Sequence, residues 1–222
     1  MNAPVPLSAR LIVFEGVDGS GKTTLAAKLA AHYRRIAPDL PLYADSFPGS
    51  LPGSLGEWVY RFHHGRVVDA PIPSSVAPPA LQLLHVAAHV DAVLRQIAPT
   101  LAAGGNVILD RYWWSTYAYA RLHLAPEAVW PIVRAEHPFW PSFPKPIIVY
   151  LARRVTLKAE EIDHDTHARL HGYYQEVIKA ERESGVVVVE LSNDGPLEDT
   201  WTVLLRALNI SGTWAEDDNV SR

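Results

Sequence analysis

The chain has no cysteine, one methionine and no apolar run of the roughly 20 residues that a bilayer-spanning helix needs. Without cysteine there is no disulfide and no thiolate site. The composition suits a reducing compartment, and the location expected is the cytoplasm. The opening MNAPVPLSAR lacks a basic start followed by an apolar core, so no signal peptide is expected. Neither sign of charge dominates. The 20 Lys and Arg against 24 Asp and Glu give a net charge of −4, which gives no hint of a nucleic-acid surface, and neither a nucleic-acid nor a membrane partner is expected. There is no internal repeat. Ten histidines are present, but no HExxH or matched Cys/His set. His85 and His89 stand at i, i+4 with no third ligand at readable spacing, so they do not define a zinc site.

What is present is core and motif. Of 222 residues, 48% are hydrophobic, enough for one full-sized core. Residues 1–210 read as one domain, and 211–222 as a polar, acidic tail. Near the start, Leu11-Ile12-Val13-Phe14 is a short buried strand. It leads into Gly16-x-x-x-x-Gly21-Lys22-Thr23, and Thr24-Leu25-Ala26-Ala27-Lys28-Leu29-Ala30-Ala31 continues as good helix formers. Strand, glycine loop and helix are the context of a phosphate-binding loop. Gly16, Gly19 and Gly21 let the backbone turn and approach a phosphate, whose charge the loop N–H groups and helix dipole attract. Lys22 brings a cation to the β- and γ-phosphates, and the Thr23 hydroxyl suits Mg²⁺. Asp18, Ser20 and Thr24 complete the nucleotide-facing set, and Asp18 has a second use, as a cap or for a substrate hydroxyl. ATP and Mg²⁺ are the cofactors this loop calls for.

Downstream, the pattern predicts a helix from Gly21 to Ile36, a strand over Pro41–Asp45, a Pro/Gly/Ser loop, and a helix over Leu55–His64. A mobile excursion is expected over Gly65–Pro79. A long helix follows over Ala80–Leu101, with Pro99 marking a break. Further strands are expected at Asn106–Asp110, Ile147–Leu151 and Val186–Leu191. An aromatic-rich helix follows Asp110, and Ala125–Pro146, with six prolines and two tryptophans, reads as irregular chain packed by its aromatics. A helix over Val155–Glu183, broken near Asp163, and one from Pro196 to Leu208 complete the chain. Short apolar strands alternating with helices predict an α/β fold: a P-loop NTPase-type five-stranded parallel sheet with helices on both faces.

Asp110 ends an internal strand on the edge where the phosphate loop also lies. A carboxylate there holds Mg²⁺ directly or through water. Arg111 has two open readings, a fork bridging the phosphates of donor and acceptor or a surface ion pair. Glu15 is a potential buried partner for it. Arg153 and Arg154 follow a strand and are equally open as nucleotide contacts or solvated helix-start residues.

FEGVDGSGKTT, followed far downstream by DRYWWSTYAYA, resembles the thymidylate kinase family, whose loop reads F-E-G-x-D-G-x-G-K-T-T and whose second motif reads D-R-Y/H-x-x-S-x-x-A-Y-Q. LQLLHVAAHVDAVLRQI resembles the family's acceptor-binding helix, and SFPGS its R-F/E-P segment. The likeness runs from about Arg10 to Leu208. It implies a homodimer that transfers the ATP γ-phosphoryl to dTMP with Mg²⁺. It implies catalytic roles for Asp18, Lys22, Asp110 and Arg111, and metal binding by Thr23 and Asp110. Acceptor binding falls to Phe47, His85, His89, Arg111, Ser115 and Tyr119. The departures gather at the acceptor. His85 stands where the family has a stacking Phe, His89 where it has a base-reading Arg, Ala120 for Gln, and Ser46 for Arg. The lid is shortened, and Arg153, Arg154, Lys158 and Arg169 are the cations available to it. A P-loop kinase for another small acceptor and a non-catalytic ATP-binding module are the competing readings.

Overall fold

The computed structural model describes residues 9–47, 49, 51–63, 76–157 and 162–210. Lys158, most of the 65–79 excursion and the 211–222 tail lie outside the described residues. Five parallel strands form one sheet in the order β2-β3-β1-β4-β5: β1 Leu11–Glu15, β2 Leu42–Ser46, β3 Asn106–Asp110, β4 Ile147–Ala152 and β5 Val187–Ser192. Central β1 and β3 are buried throughout, which is why LIVFE and NVILD are almost wholly apolar and end on a single acid. In edge strand β5 only Leu191 is buried, and the other residues are half-buried or exposed.

The pleat of β1 divides the core. Ile12 and Phe14 face helices α1 (Lys22–Ile36) and α8 (Leu197–Ala207) through Leu25, Leu29, Trp201 and Leu204. Leu11 and Val13 face the opposite layer. That layer comprises α3 (Pro78–Ala92), α4 (Ala98–Ala102), α5 (Trp113–Ala120), α6 (Pro126–Arg134) and α7 (His164–Glu183). A shorter α2 (Leu55–His63) packs beside α3.

Three expectations need correction. The long helix does not break at Pro99. It runs on through a π-helical turn at Val93–Ile97. Proline has no N–H to give the carbonyl four residues back and its ring crowds that carbonyl, and widening the preceding turn relieves both faults. The Pro/Trp-rich segment contains a true helix, α6, with Pro126 in its first turn and Val129 and Val133 fully buried. Finally, α7 starts at His164, where the Asp163 carboxylate accepts from Thr166 N–H at 2.8 Å as its cap. Residues 153–157 before it are not helical.

Candidate active site

The phosphate loop sits between β1 and α1, at the C-terminal edge of the sheet. Gly16, Gly19 and Gly21 all have positive φ (145°, 74° and 99°). A β-carbon at Gly16 would lie 2.5 Å from the Leu151 carbonyl oxygen, and one at Gly21 would lie 2.3 Å from the Asn193 amide nitrogen. These two glycines are therefore required by neighbouring protein as well as by a phosphate. Asn193, in the β5–α8 turn, donates to Ser20 O at 2.7 Å and is itself held by the Thr200 hydroxyl. From the stretch after β4, the Thr156 hydroxyl donates to Asp18 O and Leu157 N–H to Gly19 O. Asn193 and Thr156 were not singled out from sequence, because nothing local marks a residue that supports a loop far away in the chain.

Lys22 is 4% exposed, and its Nζ donates to Val17 O at 3.0 Å. Burial lowers its pKa to about 8, Arg111 adds to the effect, and Asp18 and Asp110 oppose it. The Thr23 hydroxyl donates to Asp110 Oδ2 at 2.5 Å, and the Ser46 hydroxyl lies 3.5 Å from the same oxygen. Asp110 Oδ1 is buried with no hydrogen-bond partner among the described residues. Hard oxygens converging around an unsatisfied carboxylate fit Mg²⁺. No group of three metal-ligating side chains occurs among the described residues.

Arg111 follows β3 with φ +86°, a conformation that costs a non-glycine residue about 1 kcal/mol or more. Its N–H donates to Phe14 O at 2.9 Å, fixing it to β1. Its guanidinium pairs with Asp18, donates to the Ser115 hydroxyl at 3.2 Å and lies over the Tyr119 ring. The Tyr119 hydroxyl donates to Asp18 Oδ2 at 2.8 Å. Burial opposes the Arg111 charge, but the Asp18 carboxylate outweighs it and holds the pKa above its ordinary value.

Glu15 is fully buried, but its direct partner is not Arg111. Its carboxylate accepts from Ser115 N–H (3.0 Å), the Ser115 hydroxyl (2.6 Å) and Tyr174 O–H (3.2 Å). Burial pushes its pKa up to about 7, against the Ser115 bonds and the Arg111 and Lys22 charges. Glu15, Ser115, Arg111, Asp18 and Tyr119 thus form one chain of hydrogen bonds and ion pairs beside the loop.

These groups open into a cavity of about 780 Å³. Its lining includes Asp18, Gly19, Gly21, Lys22, Thr23 and Thr24 of the loop region, Asp110 and Arg111 after β3, and Phe47, His85, His89, Ser115 and Tyr119. Gly16 and Ser20 do not line it, and Gln82, Tyr60, Tyr112, Thr116 and Leu157 do, unmarked from sequence. Arg153, Arg154 and Arg169 are not among its lining residues. Arg153 donates to Asn193 O, Arg154 pairs with Asp194, and Arg169 donates to Leu122 O. His89 is 2% exposed. Its ring stacks on Phe47 with centroids 4.0 Å apart, and its Nδ1 lies 2.5 Å from Glu136 Oε2. Glu136, fully buried, also accepts from Trp140 Nε1 at 2.9 Å. The segment read as irregular thus supplies the wall behind the cavity.

A parallel sheet ordered 2-3-1-4-5, with the phosphate loop after β1 and an acid ending β3, defines the P-loop NTPase class. Known proteins narrow the class. The family model described as thymidylate kinase matches residues 72–194. A thymidylate kinase of Syntrophus aciditrophicus is 33% identical over 164 residues, covering 74% of this chain and 68% of that protein. One of Dinoroseobacter shibae is 43% identical over 110 residues, 50% of this chain and 49% of that protein. The crystal structure of thymidylate kinase from Ehrlichia chaffeensis shares the fold, with a TM-score of 0.69 at 20% identity over 90% of this chain and 97% of that one. The chain belongs to the thymidylate kinase family. It spans about half the length of the first curated relatives it matches.

Proposed function

We propose that the chain transfers the γ-phosphoryl group of ATP to the 5′-phosphate of dTMP, giving ADP and dTDP. One observation carries this reading: one cavity is lined both by the phosphate loop and by Phe47, His85 and Arg111. A donor and an acceptor phosphate meeting there would find two cations, Lys22 and Arg111, on the cavity wall. Phosphoryl transfer passes through a loose transition state whose charge spreads over the equatorial oxygens, so catalysis is largely positioning and electrostatics. Asp18 and Ser115 hold the Arg111 fork toward the cavity, and Glu15 holds Ser115. Thr23 and Asp110 are the residues that would hold Mg²⁺, which would supply neutralisation of the charge that develops in the transfer. The cavity-lining side of Tyr119, bonded to Asp18, marks the sugar end of the acceptor. The cytoplasm as location and a homodimer as assembly belong to the same proposal.

The test is ADP release from ATP and Mg²⁺ with dTMP, dUMP, dCMP and thymidine offered singly. dTMP-dependent ADP, lost by about 10²-fold or more in folded Lys22→Ala, is the expected result. Turnover with thymidine alone would assign a different acceptor, and ATP binding without any acceptor-dependent ADP would leave only a nucleotide-binding module.

A further inference from the structure

Gln82, His85 and His89 recur at i, i+3 and i+7 along α3, and all three line the cavity. They do not stand there on equal terms. One face of His89 is covered by Phe47, and its Nδ1 is taken by Glu136. Its position is therefore fixed by protein, with little left to read a ligand. Gln82 is the opposite case. It is 8% exposed, yet no hydrogen bond joins its amide to any described residue. A carboxamide carries two N–H donors and a carbonyl with two lone pairs. On a cavity wall and without a protein partner, these groups are open to a ligand, which a leucine at the same helical position would not bond. The residue is nine-tenths buried, its amide has no hydrogen-bond partner within the described protein, and it lines the cavity one helical turn from His85.

We propose that Gln82 reads the acceptor base, its carboxamide pairing with the adjacent C4 carbonyl and N3–H of a pyrimidine-2,4-dione nucleotide. This rests on the phosphotransfer reading above and adds to it the residue that recognises the base. The amide N–H meets the C4 oxygen and the amide oxygen accepts from N3–H, the two-point match by which carboxamides read base edges. His89 and Glu136 serve as positioning residues, fixing Phe47 beside that edge. A site built to hydrogen-bond its substrate loses heavily when one partner is removed.

Steady-state kinetics with dTMP and dCMP, for wild type, Gln82→Leu and Gln82→Glu, test the assignment, with thermal melting to confirm folding. Gln82→Leu should raise the dTMP KM by about ten- to a hundredfold, leave the ATP KM within about twofold, and leave Tm unchanged or higher. Gln82→Glu presents only acceptors. It repels the C4 carbonyl of thymine but still accepts from the 4-amino group of cytosine, so dTMP should lose more kcat/KM than dCMP. A dTMP KM within twofold of wild type in Gln82→Leu would overturn the proposal, as would equal losses for the two nucleotides in Gln82→Glu. Should Gln82→Leu unfold, Gln82→Met repeats the same test with an unbranched apolar chain. If wild type releases no ADP with any nucleoside monophosphate, the phosphotransfer reading falls first and this inference with it.

Discussion

Single residues around the loop are under opposed electrostatic demands, and two of them give measurable consequences. Asp110 holds one oxygen on Thr23 and leaves the other buried without a partner among the described residues. Asp110→Asn keeps the shape and removes the charge. The Mg²⁺ concentration for half-maximal activity should rise by about tenfold or more, with metal-free nucleotide affinity little changed. An unchanged Mg²⁺ titration would return Asp110 to a structural role. Glu15 gives a pH effect whose sign follows from linkage. Its folded pKa, about 7, lies above the ordinary 4.5, so between those values the folded state holds the proton more tightly than the unfolded state. Stability from this group is fully present below pH 4.5 and is lost as pH rises to 7, a difference on the order of 3 kcal/mol. Glu15→Gln should flatten that slope in urea unfolding measured from pH 5 to pH 8. Lys22, lowered to about 8, contributes the opposite slope only above that pH. A slope preserved in Glu15→Gln would place the titration elsewhere. Lys22, Thr23 and the glycines were legible in the sequence because a phosphate loop is local: eight consecutive residues carry it. The supports Asn193, Thr156 and Tyr174 were not, because each reaches the loop across more than a hundred residues of chain.

At the scale of elements, what the sequence hid was how proline-bearing segments are used. Pro99 reads as a helix stop, yet tertiary burial of Val93, Ile97 and Leu101 keeps the chain helical through a widened turn. Pro126 and Pro131 read as irregular chain, yet Val129 and Val133 recur at i, i+4 on a buried face of α6. That helix delivers Glu136 to His89 on α3, a contact between segments 47 residues apart that no periodicity could announce. The pair makes a sharp prediction. His89→Ala strands a fully buried carboxylate and should cost about 3 kcal/mol or more in denaturant unfolding. His89→Leu with Glu136→Leu removes both polar groups together and should recover most of that stability, since an apolar pair of similar volume packs without desolvating charge. The double variant also loses the acceptor of Trp140 and the fixed stack on Phe47, so its dTMP KM should stay raised. A single variant as stable as wild type would show that Glu136 is solvated or satisfied by other means.

For the whole molecule, the α/β class and five-strand count were readable from alternating apolar runs and helix-forming stretches, and the sheet has the expected parallel strands. The distribution of surface was not readable, because periodicity says which face of a helix is apolar but not whether another helix covers it. In the folded chain α2 and α3 pack side by side, and Trp58 and Leu83 on them stay about half exposed. Leu55 and Leu94 are exposed as well, and Trp58 stacks on Phe62 with ring centroids 5.5 Å apart. Stable interfaces cover about 800 Å² on each partner, with aromatic anchors near the centre. The proposed homodimer would bury this surface. Light scattering should then give twice the 24.6 kDa chain mass, and Trp58→Glu with Leu83→Glu should shift it to the single mass. Leu83 is exposed and Gln82, its neighbour on α3, lines the cavity, so one helix carries both surfaces. Releasing the outer face frees α3 to shift, and the acceptor wall shifts with it. The phosphate loop rests on β1, α1 and the Asn193 turn, away from that helix. The monomeric variant should therefore show a raised dTMP KM with an ATP KM within about twofold of wild type. Equal loss at both substrates would point to general unfolding, and a wild-type chain already monomeric at assay concentration would remove the dimer from the proposal.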